Sequence, residues 1–345
     1  MAESGPGSPG TDSLAAAIQA AVAGAGTGSL GAGVQRLMAA YRAGQAPSAP
    51  VINSRIDAAA YAAYRMPATA AATGAALSEM RLSLPGWAPS SLIDFGAGTG
   101  GSAWAVATGF PAIEAVTLLE QSADAIKLGK AVFAAAASDA LRSATWQQWR
   151  LGEDDDGRTA GGPPADLATV CYVLGELPAA QQAELTMLAI SAAPAVLLLE
   201  PGTPAGHRRI LAARAQLLSS GYQITAPCPH ELRCPLDVEG DWCHFGARLQ
   251  RSPMHREAKG AELAYEDEKF SYVAAIRADA IRGQQAGLPV RPSGRVVRRP
   301  AQRKGLVMLD LCRADGSSGR ELVSKSKGEL YRRARKTGWG DRWTP

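Results

Sequence analysis

Ser91-Leu-Ile-Asp-Phe-Gly-Ala-Gly-Thr-Gly-Gly101 is the stretch that decides the fold. Leu92 to Phe95 reads as a buried strand running into a glycine-rich turn, and Ser102-Ala-Trp-Ala-Val-Ala107 continues it as a helix. Glycines at 96, 98, 100 and 101 let the backbone turn tightly and let a ligand approach the main chain. Asp94, at the strand's end, is placed either to hydrogen-bond a cofactor amine or to order the loop. The glycines also fit G-x-G-x-x-G, a pattern that alone says only "nucleotide". Roughly 20 residues on, where a ribose-binding acid belongs, Val116-Thr-Leu-Leu-Glu120 supplies a second carboxylate. The plainer alternative is a strand-to-helix turn that binds nothing.

From Leu92 onward strand and helix alternate, the pattern of an α/β, doubly wound parallel sheet. A helix is expected from Ala123 to Leu141, a short strand from Thr145 to Leu151, and an acidic, glycine-rich loop over 152–164. Asp166-Leu-Ala-Thr-Val-Cys-Tyr-Val-Leu174 is the fourth strand and Ala195-Val-Leu-Leu-Leu-Glu-Pro-Gly202 the fifth, with a helix over 206–220 after it. Ligands bind beyond the carboxyl ends of such strands. Asp94, Glu120, Tyr172 to Glu176 and Glu200 all fall at that edge. Before the core, residues 1–12 read as disordered and 13–88 as a helical region, interrupted by the glycine-rich run from Gly24 to Gly33. The core is assigned 89–225, a cysteine-rich loop with late core strands 226–290, and a basic region 291–345.

The net charge of +4 conceals an asymmetry. Residues 291–345 carry 15 Lys and Arg against 5 Asp and Glu, so the rest of the chain is slightly acidic. A basic region on an acidic body points to an anionic partner, and nucleic acid is the usual one. Arg291, Arg295, Arg298, Arg299, Arg303 and Lys304, then Arg332, Arg333, Arg335 and Lys336, interleave with Tyr331 and Trp339, a pattern suited to phosphate contact with base stacking. The competing reading is a solvated charge run. No apolar run approaches the ~18 residues of a membrane span, and Met1 to Asp12 lacks the regions of a signal peptide, so a cytoplasmic protein is expected.

Three of the five cysteines lie close together, in Cys228-Pro-His-Glu-Leu-Arg-Cys234 and Asp241-Trp-Cys243-His-Phe, with Cys312 in a later extended segment. Disulfides are a poor explanation in a reducing compartment. The spacing is looser than ordinary zinc pairs, although His230 or His244 would complete such a site. An iron–sulfur cluster held by four thiolates is equally compatible. Cys171 reads as a buried apolar residue inside its strand. His207 and His255 have no partner visible in the sequence, and surface or phosphate contact is the default.

The D-x-G-x-G-x-G form resembles motif I of the S-adenosylmethionine-dependent methyltransferases. Further matches are Ala63-Tyr-Arg-Met-Pro-Ala68, Cys171-Tyr-Val-Leu-Gly-Glu-Leu-Pro178, Leu199-Glu-Pro-Gly-Thr203, the cysteine-proline block, Phe270-Ser-Tyr-Val273 and Arg335-Lys-Thr-Gly-Trp-Gly-Asp341. Together they resemble the methyltransferase-like family of the small ribosomal subunit, found in bacteria and as an iron–sulfur mitochondrial ribosome assembly factor. The resemblance implies a class I methyltransferase fold, and a [4Fe–4S] cluster whose cysteines map onto Cys228, Cys234, Cys243 and Cys312. It also implies association with small-subunit rRNA during assembly. Gly175 departs from the family, which often has serine there, beside the presumed cofactor pocket. Asp94, Gly96, Gly98, Gly100, Glu120 and Tyr172 are the candidate S-adenosylmethionine contacts.

Methyl transfer is mostly a matter of placing the acceptor in line with the methyl group. The turn after the fourth strand lacks the (D/N)-P-P-(Y/F) form that holds a ring nitrogen. Tyr172 stacking a base and Glu176 taking its proton compete with Tyr172 as core and Glu176 as a helix-terminal carboxylate. No catalytic residue is assigned. Four cysteines would saturate a cluster and so point to bracing rather than radical chemistry. The expected function is a methyltransferase-fold binding and assembly protein of the small ribosomal subunit, a monomer off the ribosome. An active rRNA methyltransferase is the alternative, and an NAD(P)-dependent oxidoreductase a weaker one.

Overall fold

The computed structural model describes residues 9–42, 52–152, 162–251, 264–277, 279–280 and 289–345; His255 and most of the acidic loop lie outside them. The chain divides into two compact units. One comprises Met1–Leu77, Ala88–Val196 and Ala247–Glu268; the other comprises Ser78–Trp87, Leu197–Gly246 and Lys269–Pro345.

The first unit opens with helices α1 (Pro9–Val22), α2 (Thr27–Arg42), α3 (Arg55–Tyr64) and the start of α4 (Met66–Ser83). Its strands β1 (Ser91–Phe95), β2 (Ala115–Glu120), β3 (Thr145–Gln148) and β4 (Leu167–Cys171) are all parallel, with Asp94 level with Leu118 on one side and Thr169 on the other. β4 is buried along its whole length and β1 from Leu92 on, as expected of parallel strands covered on both faces. α5 (Gly101–Gly109) links β1 to β2, α6 (Ala123–Ala134) and the short α7 (Asp139–Arg142) link β2 to β3, and α8 (Ala179–Ala192) follows β4. α1 and α3 pack on α6, so the helical prelude covers this sheet.

β5 (Ala195–Pro201) leads into the second unit, which holds α9 (Pro204–Ser219) and β6 (Tyr222–Ala226). β7 (Phe245–Gln250) and β8 (Tyr265–Arg277) each have residues in both units, Ala247–Glu268 belonging to the first. The hydrogen-bonded order is β3-β2-β1-β4-β5-β8-β6, with β7 also paired to β8 and β6 antiparallel to β8. This is the class I methyltransferase sheet that the resemblance implied. A second sheet holds β9 (Gly294–Val296), β10 (Ala301–Arg303), β11 (Leu306–Arg313), β12 (Ser318–Ser324) and β13 (Arg342–Trp343), in order β10-β11-β9-β13 with β12 on β11. Val307, Leu309 and Leu311 alternate inward along β11. They join Val296, Val323, Trp343 and Ala334 of α10 (Glu329–Lys336) in one core.

Several boundary expectations needed correction, among them the fourth strand, which ends at Cys171 rather than Leu174. The first helix begins at Pro9, inside the stretch read as disordered. The run from Gly24 to Gly33 does not stay broken, because α2 starts at Thr27 and carries Gly28, Gly31 and Gly33. Gly33 lets α2 close on α3, since a Cβ there would stand 2.8 Å from Ala60 Cβ. The long helix over 123–141 is instead α6 and α7. The third strand stops at Gln148, three residues short of the expected Leu151.

Candidate functional site

At the end of β1 the chain passes through Gly96 (φ +65°), Gly98 (φ +56°) and Gly100 (φ +90°) before α5 begins. Gly100 is required twice over. Its left-handed backbone disfavours a side chain, and a Cβ would sit 2.5 Å from Phe133 Cζ. Glu120, at the end of β2, accepts from the Gly98 N–H and the Ser122 N–H, both at 2.8 Å. Its carboxyl is pushed above the ordinary range by burial. These groups line a cavity of about 400 Å³ with Gly96, Tyr61, Trp149, Tyr172 and Glu176. Both oxygens of Glu120 retain lone pairs, so the carboxylate can hold the loop and still accept ligand hydroxyls.

Four of the six candidate cofactor residues, Gly96, Gly98, Glu120 and Tyr172, line this cavity. Asp94 lies beneath the loop, 1% exposed, accepting from Ser102 Oγ and Thr169 Oγ1 at 2.7 Å each. Of the two roles its position allowed, the geometry supports ordering the loop. Burial pushes its carboxyl up to about 6. Gly100 serves packing rather than the cavity wall. Glu200 lies at the carboxyl end of β5 as expected, and there it is fully buried and paired with Arg209 of α9 at 2.6 Å.

Tyr172 is the one described non-glycine residue at positive φ (+64°). Its hydroxyl donates to Glu268 Oε1 at 2.8 Å, and Arg65 stands 4.8 Å from its ring centroid while pairing with Glu268 at 3.1 Å. One ring face is therefore occupied by a guanidinium, which disfavours a base stacked on that face. Arg65 and Glu268 were missed from the sequence as site residues. Arg65 had a signal, sitting inside the Ala63–Ala68 motif, whereas Glu268 is distant in the chain and had none.

In the second unit, Cys228, Cys234, Cys243 and Cys312 all line one cavity of about 30 Å³, with His207, His230, Arg214 and Arg295. Residues 84 positions apart in sequence thus meet in one place. Burial pushes the Cys243 thiol well up and the Cys312 thiol to about 12, and the neighbouring cysteines add to both. His230 Nε2 lies 3.3 Å from Cys312 Sγ. His207, expected at the surface, is 4% exposed with Nε2 4.0 Å from Cys234 Sγ, because α9 turns it inward. His244 is held between Trp242 and Trp339, with ring centroids 5.2 and 4.9 Å away. A soft, four-thiol donor set on a shared cavity fits a thiophilic metal centre. Among the described residues, no three His, Cys, Asp or Glu side chains stand in an arrangement that holds a metal ion as they are.

The basic residues are mostly exposed. Arg299, Arg303, Lys304, Arg332, Arg333, Arg335 and Lys336 face solvent, while Arg298 is half-buried and paired with Asp241. Gln302 Nε2 donates to Arg335 O at 3.1 Å and Lys325 N–H to Gly305 O at 2.8 Å, which gathers the β10–β11 turn, Lys325 and the end of α10. The expected stacking aromatics are spent on packing. Tyr331 is packed against the second sheet's core and Trp339 against His244.

No helix among the described residues is long and apolar enough to cross a membrane. Residues 55–344 match the family model described as mitochondrial small ribosomal subunit Rsm22. The chain is 26% identical over 298 residues to the human mitochondrial ribosome assembly protein METTL17, covering 81% of this chain and 61% of that one. It is 30% identical over 179 residues to the mitochondrial Rsm22-cox11 tandem protein 2 of Schizosaccharomyces pombe, covering 42% of this chain and 24% of that one. The chain therefore spans less than two thirds of these relatives. Among solved structures it resembles an O-methyltransferase family protein from Burkholderia thailandensis, with TM-score 0.41, 13% identity, and 65% of this chain and 60% of that one covered. Another is the glycopeptide N-methyltransferase MtfA complexed with S-adenosylmethionine, with TM-score 0.35, 13% identity, and 59% and 94% covered. The fold assignment rests on strand order, not on these two.

Proposed function

The chain belongs to the Rsm22 family, and from that premise we propose that it is an assembly factor that binds small-subunit rRNA through its basic second sheet. We further propose that Cys228, Cys234, Cys243 and Cys312 hold a [4Fe–4S] cluster, which when bound would cross-link their segments; zinc is the alternative occupant. The observation that carries the reading is the course of β11. The strand begins beside the Arg303-Lys304 turn and carries Cys312 next to its last residue, so one element joins the basic surface to the thiol cavity. Lost coordination at Cys312 loosens the strand that presents the charges. The reading includes S-adenosylmethionine in the 400 Å³ cavity, a monomer off the ribosome, and a cytoplasmic site of action.

Sucrose-gradient sedimentation of anaerobic extracts tests the proposal. The protein should travel with small-subunit precursors, and Cys312→Ser should leave it in the light fractions. Wild-type protein that stays light whatever its metal content overturns it. The second reading, an active rRNA methyltransferase, is favoured by Glu120 and the glycine loop at the cavity edge. A missing small-subunit rRNA methylation in cells lacking the gene supports it, and an unchanged modification map removes it.

A further inference from the structure

Three buried nitrogens around the thiol-lined cavity have no hydrogen-bond partner: Arg214 Nε, Arg295 Nη2 and His230 Nδ1. Their residues are 6, 2 and 3% exposed. Buried polar groups are almost always paired, and an unmade bond on a buried cation is especially costly. Other nitrogens of each guanidinium hold the cysteine loop and its surroundings. Arg214 Nη2 donates to the carbonyls of His230 and Leu232, both at 3.0 Å, between Cys228 and Cys234. Arg295 Nε donates to the carbonyl of Pro227, next to Cys228, at 2.9 Å. Its Nη1 reaches Glu79 at 2.6 Å and the Gly340 carbonyl at 2.8 Å. Each arginine thus pins the loop and keeps one buried nitrogen in reserve.

We propose that Arg214 and Arg295 are charge-compensating residues for an anionic, four-thiolate metal centre in this cavity, donating to it through Nε and Nη2. The inference rests on the metal reading above and names the residues that tune it. Four thiolates around zinc or around an oxidised [4Fe–4S] core give a dianion, which the Arg214 guanidinium and the Arg295 guanidinium, the latter shared with Glu79, offset in part. Burying a dianion is costly unless hydrogen-bond donors or counter-charges offset it, and these two side chains supply both. For a redox-active centre the same donors favour the more negative reduced state and so raise its potential.

The test uses full-length protein purified anaerobically as wild type, Arg214→Gln, Arg295→Gln and the two matching Lys variants. Iron, sulfide and zinc content, metal retention against a chelator, and the midpoint potential of any visible chromophore are read, with melting of the metal-free protein as the fold control. Each Gln variant should lose metal about 10- to 100-fold more readily. In cluster-bearing protein each should also lower the potential, a change that a purely structural role would not produce. The Lys variants, keeping charge without the fork, should fall between. Where a Gln variant does not melt cooperatively, its Lys counterpart carries the same comparison. Metal-loaded wild type with variants of unchanged retention and potential overturns this inference alone. Wild type free of both metals overturns the metal reading and this inference with it.

Discussion

Replacing Asp94 by Asn should flatten the acid side of the stability profile. In the fold the Asp94 carboxyl titrates at about 6, against an ordinary 3.8, because burial outweighs the bonds from Ser102 and Thr169. A group whose folded pKa is raised binds its proton more tightly in the native state. Its contribution is therefore fully present below about pH 4 and is lost as pH rises towards 6. At about 1.4 kcal/mol per pH unit, the difference amounts to about 3 kcal/mol. Asparagine has nearly the same shape, and the Ser102 and Thr169 hydroxyls can each turn to accept or donate, so the variant should fold. Urea unfolding of both proteins between pH 4 and 7 measures the effect. The wild-type curve should fall relative to the variant by about 3 kcal/mol across that window. Parallel curves, within about 0.5 kcal/mol of one another, would refute the assignment of Asp94 as a buried, loop-ordering carboxyl.

Other substitutions separate conformation from chemistry. Gly100→Ala combines left-handed strain with a collision against Phe133 and should cost about 2–5 kcal/mol in urea unfolding, whereas Gly109→Ala, whose nearest neighbour is Leu77 Cδ1 at 3.9 Å, should be neutral or slightly stabilising. Glu120→Gln replaces one of two acceptor oxygens facing backbone N–H groups, and calorimetry should show at least tenfold weaker S-adenosylmethionine binding with about 1–3 kcal/mol lost in stability. Arg303→Ser with Lys304→Ser should weaken RNA binding across sequences and lower the log-affinity against log-salt slope by about 2, measured by fluorescence anisotropy.

The parts of this structure legible in sequence were those set by local rules. Leu92-Ile-Asp-Phe95 with its glycine turn specified β1 and α5, because continuous apolar runs and positive-φ glycines have few other uses. The extended segment that carries Cys312 is β11, and the scarcity of cysteine drew attention to four that do line one cavity. What escaped depended on distance in the chain. Nothing near Glu268 marks it as the partner of Tyr172 and Arg65, since that network is made by β8 arriving late beside β5 in the sheet order. Arg295, read in sequence as part of the RNA-contacting basic run, is buried because β9 turns it inward, and Arg214, which nothing in the sequence singled out, is turned inward by α9. The glycines of α2 suggested a broken helix because the close approach of α3 at Gly33, which favours glycine there, is invisible locally.

The most direct measurement is the iron and acid-labile sulfide content of anaerobically purified full-length protein beside its Cys312→Ser variant. The account predicts a brown wild type carrying about four of each per chain and a variant that has lost most of both. A colourless wild type without iron, indistinguishable from the variant, would contradict it.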